Sequence, residues 1–196
     1  NVFPVMAEAT VAGMALGLIA AGKVASRLVA TQAKVIDVDI EAEEQDIALI
    51  DAVITRDAFI GAKALLDPSQ LKEALLCRAE PAAVGITSLG GLVRPVSDKD
   101  DFGLHLTFTK GGRQLLAPMG PGMFAKVEIG KTRLVKFDQA VKAQGPSVIA
   151  LDGERERVIA PGQRIEMRIS RRGPWVVDLA ATLQRAAKQK IFLRTM

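Results

Sequence analysis

Two carboxylates bracket a glycine at Leu151-Asp152-Gly153-Glu154, directly after the apolar run Ser147-Val148-Ile149-Ala150-Leu151. On an extended segment, residues two apart leave on the same face, so Asp152 and Glu154 could share a cation, a sugar hydroxyl or a proton. The same residues also spell an Asp-Gly hairpin turn carrying two solvated acids. On spacing alone the turn is the better reading, because Arg155-Glu156-Arg157 directly after it reads as solvent-facing. Histidine-assisted catalysis is poorly supplied. His105 is the single histidine, and in Leu104-His105-Leu106-Thr107-Phe108 it lies opposite the leucines, where a surface strand position is expected. Gly85-Ile86-Thr87-Ser88 is not a nucleophile elbow. A histidine metal cluster is excluded by count, which leaves carboxylates as donors for a cation such as magnesium.

Cys77 is the single cysteine, so the chain can form neither an internal disulfide nor a thiolate zinc cluster. It follows Leu75-Leu76 at the end of a helical pattern and reads as a buried, inert thiol in a reducing, cytoplasmic setting. The turn Arg171-Arg172-Gly173, with Arg164 and Arg168 before it, could attract phosphate; a basic outer strand face accounts for it equally simply. Asp98-Lys99-Asp100-Asp101 lacks calcium-loop spacing and reads as an exposed loop.

The elements that must position these residues follow from the hydrophobic pattern. Of 196 residues, 49% are apolar and 24% charged, enough for one good core or two small ones. The net charge is +4, but aromatics are 4% with no tyrosine, which argues against nucleic-acid binding by base stacking. Residues 9–22 form the longest apolar stretch. It is shorter than the roughly 20 residues a membrane-spanning helix needs, Glu8 and Lys23 bound it, and no basic segment precedes it as in a signal peptide. Gly13 and Gly17, four apart, predict close packing against another element.

Residues 6–30 read as one or two buried helices after Pro4. Residues 34–40 alternate as a half-buried strand, 41–46 form an acidic connection, and 47–55 read as one strand covered on both faces. Asp51 inside that strand requires a partner. Residues 68–79 read as a short helix with Asp67 or Ser69 as cap. Strands are then predicted at 84–89, 104–109, 123–129, 132–137, 147–151, 164–170 and 175–177, separated by Gly and Pro turns, as in a β-sandwich or partial barrel. An amphipathic helix at 179–189 closes the chain.

Asn1-Val2-Phe3-Pro4, Glu8-Ala9-Thr10-Val11-Ala12-Gly13, Asp51-Ala52-Val53-Ile54-Thr55-Arg56-Asp57, Ala79-Glu80-Pro81-Ala82-Ala83-Val84-Gly85, Gly91-Leu92-Val93-Arg94-Pro95-Val96 and Leu151-Asp152-Gly153-Glu154 occur in that order. In this the chain resembles the acetoin catabolism protein X family of the NAD kinase and diacylglycerol kinase superfamily. The resemblance implies two domains, an α/β domain whose Gly-Gly-Asp-Gly loop holds nucleotide phosphates and a β-rich domain across the cleft. That loop is absent here, and Asn1, with no initiator Met before it, resembles the Asn of the Gly-Thr-x-Asn segment that follows the loop. The expected fold is therefore α+β: residues 1–45 as a helical remnant of the α/β nucleotide-binding domain, 46–177 as a β-sandwich-like domain, and 178–196 as a helix returning to the first domain.

The resemblance also turns the Asp-Gly-Glu segment toward chemistry. It implies Asp152 as the organising acid and magnesium ligand, Glu154 as general base, and nucleotide contacts from Asn1, Asp51 and Gly153. The implied activity is ATP-dependent, magnesium-dependent phosphoryl transfer to a small-molecule hydroxyl, associated with acetoin catabolism, by a homo-oligomer that lacks activity without the upstream loop. Ile50-Asp51 stands where NAD kinases have Asn-Glu, which points away from NAD as acceptor. The alternative is a non-catalytic binding or oligomerisation domain of a degenerate kinase-like protein.

Overall fold

The structure, a computed structural model, describes residues 7–43, 45–56 and 67–193. Two compact units divide the chain, one holding the described residues up to Ala33 and from Pro174, the other Lys34–Gly173. The first boundary thus falls before the strand at 35–40, whereas the sequence pattern predicts it at 45/46. Val35, Ile36, Val38 and Ile40 are all buried in the second unit, which claims that strand.

In the first unit, helix α1 (Ala9–Ala20) is capped by the Glu8 carboxylate, which accepts from Val11 N. A 3-10 turn (Ser26–Leu28) leads to strand β1 (Ala30–Gln32), which pairs antiparallel with β12 (Trp175–Val177). Helix α3 (Leu179–Lys188) follows β12, with its own cap from Asp178 to Ala181 N. Val24, Val29 and Ala186 are buried together, with Leu18, Ile19, Ala181 and Ile191 packed against them. Two expectations for this segment fail. Among the described residues α1 buries only Ala15, and nothing lies within contact of a side chain built at Gly13 or Gly17, so the apolar composition here does not mark a buried helix.

The second unit is a sandwich of antiparallel sheets, as the sequence predicts. One has the order β10-β9-β4-β5-β6-β7, the other β3-β2-β11-β8. The strands are β2 (Val35–Ile40), β3 (Asp46–Ala48), β4 (Asp51–Thr55), β5 (Leu71–Leu76), β6 (Phe102–Gly120), β7 (Met123–Lys136), β8 (Val141–Gln144), β9 (Ser147–Leu151), β10 (Arg155–Ile159) and β11 (Arg164–Ser170). Ile36, Val38, Ile165, Met167 and Ile169 from one sheet meet Ala52, Ile54, Leu75, Val135, Ile149 and Leu151 from the other. The opposite face of the larger sheet buries Ala74, Leu76, Leu104 and Leu106 under helix α2 (Ile86–Val93) and the far end of the β6–β7 hairpin. With apolar cover on both faces, β4, β5 and β9 lose the alternation of a half-exposed strand.

That double cover explains the misread elements. Leu71, Ala74, Leu75 and Leu76 recur at helical spacing, yet after a 3-10 turn at Pro68–Gln70, capped by Asp67, they form the central strand β5. Residues 84–89, predicted as strand, instead begin helix α2. Gly85 precedes it at φ 76°, and Gly91 lies so close to Glu80 and Pro81 that a Cβ would sit 2.3 Å from their backbone. Lys110-Gly111-Gly112 is a bulge in one long strand rather than the end of two.

Candidate functional site

The run 47–55 is not one strand. It breaks at Leu49-Ile50, where the chain leaves the four-stranded sheet through β3 and enters the six-stranded sheet as β4. The break is held by Asp152. One carboxylate oxygen accepts from Leu49 N at 2.9 Å, Ile50 N at 2.7 Å and Asp51 N at 3.3 Å, and the other accepts from Leu49 N at 2.9 Å. From the far side Cys77 Sγ donates toward the Leu49 carbonyl at 3.1 Å, and Cys77 N donates to the Ile50 carbonyl. The thiol is buried, and burial first of all pushes its pKa up to about 12, so Cys77 is unreactive as expected, although it ends a strand rather than a helix.

Asp152 reaches this position through a tight hairpin between β9 and β10. Asp152 and Gly153 both have positive φ, 57° and 68°, as a primed hairpin turn demands, and Glu154 N donates to the Leu151 carbonyl at 3.1 Å. Asp-Gly is the pair best suited to that backbone. The turn parts the two acids: the Asp152 side chain is 4% exposed, whereas Glu154 is exposed at the tip beside Gly153. Only half of the solvated-turn reading therefore applies. Arg155, first residue of β10, lies 3.7 Å from Asp152, pairs with Asp46 and donates to the Ile47 carbonyl at 2.5 Å, tying the turn to β3.

Asp51 is the residue of most chemical interest. β4 and β9 are neighbours with Ala52 opposite Leu151, which sets Asp51 beside Asp152, and Asp152 N donates to the Asp51 carbonyl at 2.9 Å. Burial, and then the charge of Asp152, push the Asp51 carboxyl up to about 7; a hydrogen bond with the Thr87 side chain opposes the shift. Thr87 stands in the first turn of α2. The required partner of Asp51 is thus a helix-start threonine in a segment whose sequence pattern predicts a strand. Gly85 directly before Ile86-Thr87-Ser88 is the signal that could have revealed it.

The remaining candidates are engaged elsewhere. His105 is 8% exposed instead of facing solvent. Its Nε2 contacts Glu73 at 2.7 Å and its Nδ1 accepts from Arg133 Nε at 3.1 Å, an arrangement that fixes the proton on Nε2 and leaves no nitrogen free. Arg171 donates to the Asp98 carbonyl and lies over the Phe137 ring, and Arg172 pairs with Asp37 and Asp138, so neither waits for phosphate. The charged loop at 98–101 does internal work: Lys34 Nζ, buried, donates to the carbonyls of Ser97, Asp100 and Phe102. Asn1 lies outside the described residues. Among the described residues no three acids, histidines or cysteines gather as a metal site, and no helix is long and apolar enough to cross a membrane.

This arrangement occupies the segment that matches the family "Acetoin catabolism protein X C-terminal domain", residues 34–172. The chain belongs to that family. The Acetoin catabolism protein X of Cupriavidus necator is 30% identical over 97% of this chain, which spans 55% of that relative's length. A solved yeast NADH kinase, complexed with NADH, aligns over 95% of this chain and 55% of its own with 10% identity and a TM-score of 0.47, too loose a likeness to build on. The family match starts where the sandwich unit starts, at residue 34, and ends one residue before that unit does.

Proposed function

We propose that this chain forms the acceptor-side part of a protein that transfers a phosphoryl group from ATP to a hydroxyl of a small molecule. The observation that supports this reading best is the Asp51 carboxyl. Its pKa near 7, beside the Thr87 hydroxyl, suits a group that accepts a proton from an acceptor hydroxyl at neutral pH. In this reading Asp152 is a positioning residue. Its buried charge raises the Asp51 pKa, and its carboxylate fixes the crossover that carries Asp51. Glu154, exposed at the turn beside Gly153, is the second candidate base and would meet substrate from the solvent side. Gly153, and Asn1 in the sequence, would approach the nucleotide.

Asp152 does not fit the role of magnesium ligand. Its oxygens are taken by backbone N–H groups and faced by Arg155, whereas magnesium requires oxygens free to enter an octahedral shell. In this proposal the ATP phosphates are held by a Gly-Gly-Asp-Gly loop that this chain does not contain, so the chain alone does not transfer phosphate; the assembled protein is proposed to be a homo-oligomer.

The brace formed by Asp152 also favours a second reading, a non-catalytic binding domain in which the Asp-Gly-Glu turn serves architecture. The two separate on the full-length protein. Magnesium-ATP should raise its melting temperature, because a ligand bound only by the folded state stabilises it, and Asp51→Asn should depress phosphoryl transfer while leaving the fold intact. No thermal shift at millimolar magnesium-ATP would favour the second reading.

A further inference from the structure

β7 is an outermost strand of the six-stranded sheet, and among the described residues no strand pairs with its free edge. A long open edge is a template for pairing that proteins usually blunt. Pro118 reveals which backbone groups face it. Pro118 pairs with Phe124, has no N–H to give, and its carbonyl accepts from Gly85 N at 2.8 Å instead of from β7. That pair is therefore the non-hydrogen-bonded kind. The two kinds alternate along an antiparallel ladder, so Lys126 opposite Leu116 and Glu128 opposite Gln114 are non-hydrogen-bonded as well. The N–H and C=O groups of Phe124, Lys126 and Glu128 consequently point out along the open edge.

We propose that a second copy of this chain docks on that edge, β7 antiparallel to β7, about a two-fold axis at Val127. The charges select the register. Outward-facing residues must meet outward-facing residues, so a pairing of Phe124, Lys126 and Glu128 between two copies has its axis at Phe124, Ala125, Lys126, Val127 or Glu128. An axis at Lys126 sets lysine against lysine, and one at Glu128 sets glutamate against glutamate. The axis at Val127 alone sets each Lys126 against Glu128 of the other copy, twice by symmetry. Lys126 is exposed and has no ion-pair partner within its own chain among the described residues, whereas Glu128 accepts a single exposed hydrogen bond, from Gly111 N at 3.1 Å. The same register brings Phe124, 65% exposed, beside Gly130 of the second copy, where no side chain opposes the ring. The outcome is one sheet continuous across two molecules. This deepens the self-association proposed above and does not depend on phosphoryl transfer.

Sedimentation velocity of the full chain, across protein concentrations from nanomolar to micromolar, tests the proposal. The wild type should form dimers. Lys126→Glu, which sets glutamate against glutamate at both symmetric positions, should raise the dissociation constant at least about tenfold. Lys126→Glu combined with Glu128→Lys restores opposite charges and should recover dimerisation. The melting curve of Lys126→Glu, measured below the dissociation concentration, should match the wild type, because Lys126 is exposed. A wild type that stays monomeric overturns self-association itself. A dimer indifferent to Lys126→Glu, or one that the double exchange fails to recover, overturns this edge and register.

Discussion

Asp51→Asn should make the protein more stable at neutral and alkaline pH. The Asp51 carboxyl is raised from 3.8 to about 7. Because the folded-state value exceeds the unfolded one, the native chain keeps a proton that the unfolded chain releases between about pH 4 and pH 7. Stability therefore falls as pH rises through that window and is level above it, whereas below it both states are protonated and nothing is lost. At about 1.4 kcal/mol per pKa unit the full penalty is about 4 kcal/mol. Part of the residue reaches solvent, which relieves some of that, and about 1–3 kcal/mol is the expected gain. Asparagine keeps an oxygen for Thr87 and adds an N–H that can face Asp152 without repulsion. Urea unfolding of both proteins at pH 4, 6 and 8 reads the difference directly. A difference in stability that is the same at pH 4 and pH 8, or a variant less stable at pH 8, would refute the assignment of Asp51 as a strained buried acid.

Two further perturbations probe the frame. Asp152→Ala strands the N–H groups of Leu49, Ile50 and Asp51 and should cost about 2–4 kcal/mol in denaturant unfolding, while moving the Asp51 titration, followed by carboxyl NMR, back down toward an ordinary carboxylate. Lys34→Met leaves the carbonyls of Ser97, Asp100 and Phe102 without their shared donor and should cost about 2–3 kcal/mol, with faster amide exchange confined to the loop at 97–102.

What the sequence discloses depends on whether the apolar spacing of an element admits a second period. β9 and β11 occur at the predicted residues, 147–151 and 164–170, because a compact apolar run and a clean alternation each have one interpretation. β5 was hidden because its leucines, buried on both faces, imitate helical spacing, and α2 was hidden because its two glycines look like a turn until the contact of Gly91 with Pro81 is seen. In sequence, β10 reads as solvated charge. Its arginines do reach solvent, but Arg155 and Arg157 also pair with Asp46, more than one hundred residues earlier, a contact invisible to local pattern. The same limit applies to Asp51. That it needed a partner was legible from its apolar neighbours; that the partner would be Thr87, and the neighbour Asp152, depends on how β4 lies between β5 and β9.

The Asp-Gly-Glu turn draws the eye because acids beside glycine are unusual at a strand end, yet two demands compete for its first carboxylate. A carboxylate whose oxygens accept several backbone N–H bonds has its lone pairs committed to the fold and few left for a substrate. The fold spends Asp152 in that way to carry one chain from sheet to sheet at Leu49-Ile50. The cost of burying that charge appears on the adjacent strand, where Asp51 must stand beside it and is driven toward neutrality. A structural acid thereby prepares a chemical one. If Asp51→Asn proves more stable and at the same time less active in the full-length protein, the strain is functional; if stability rises and nucleotide binding and transfer are untouched, the pair is architecture and any chemistry rests on Glu154.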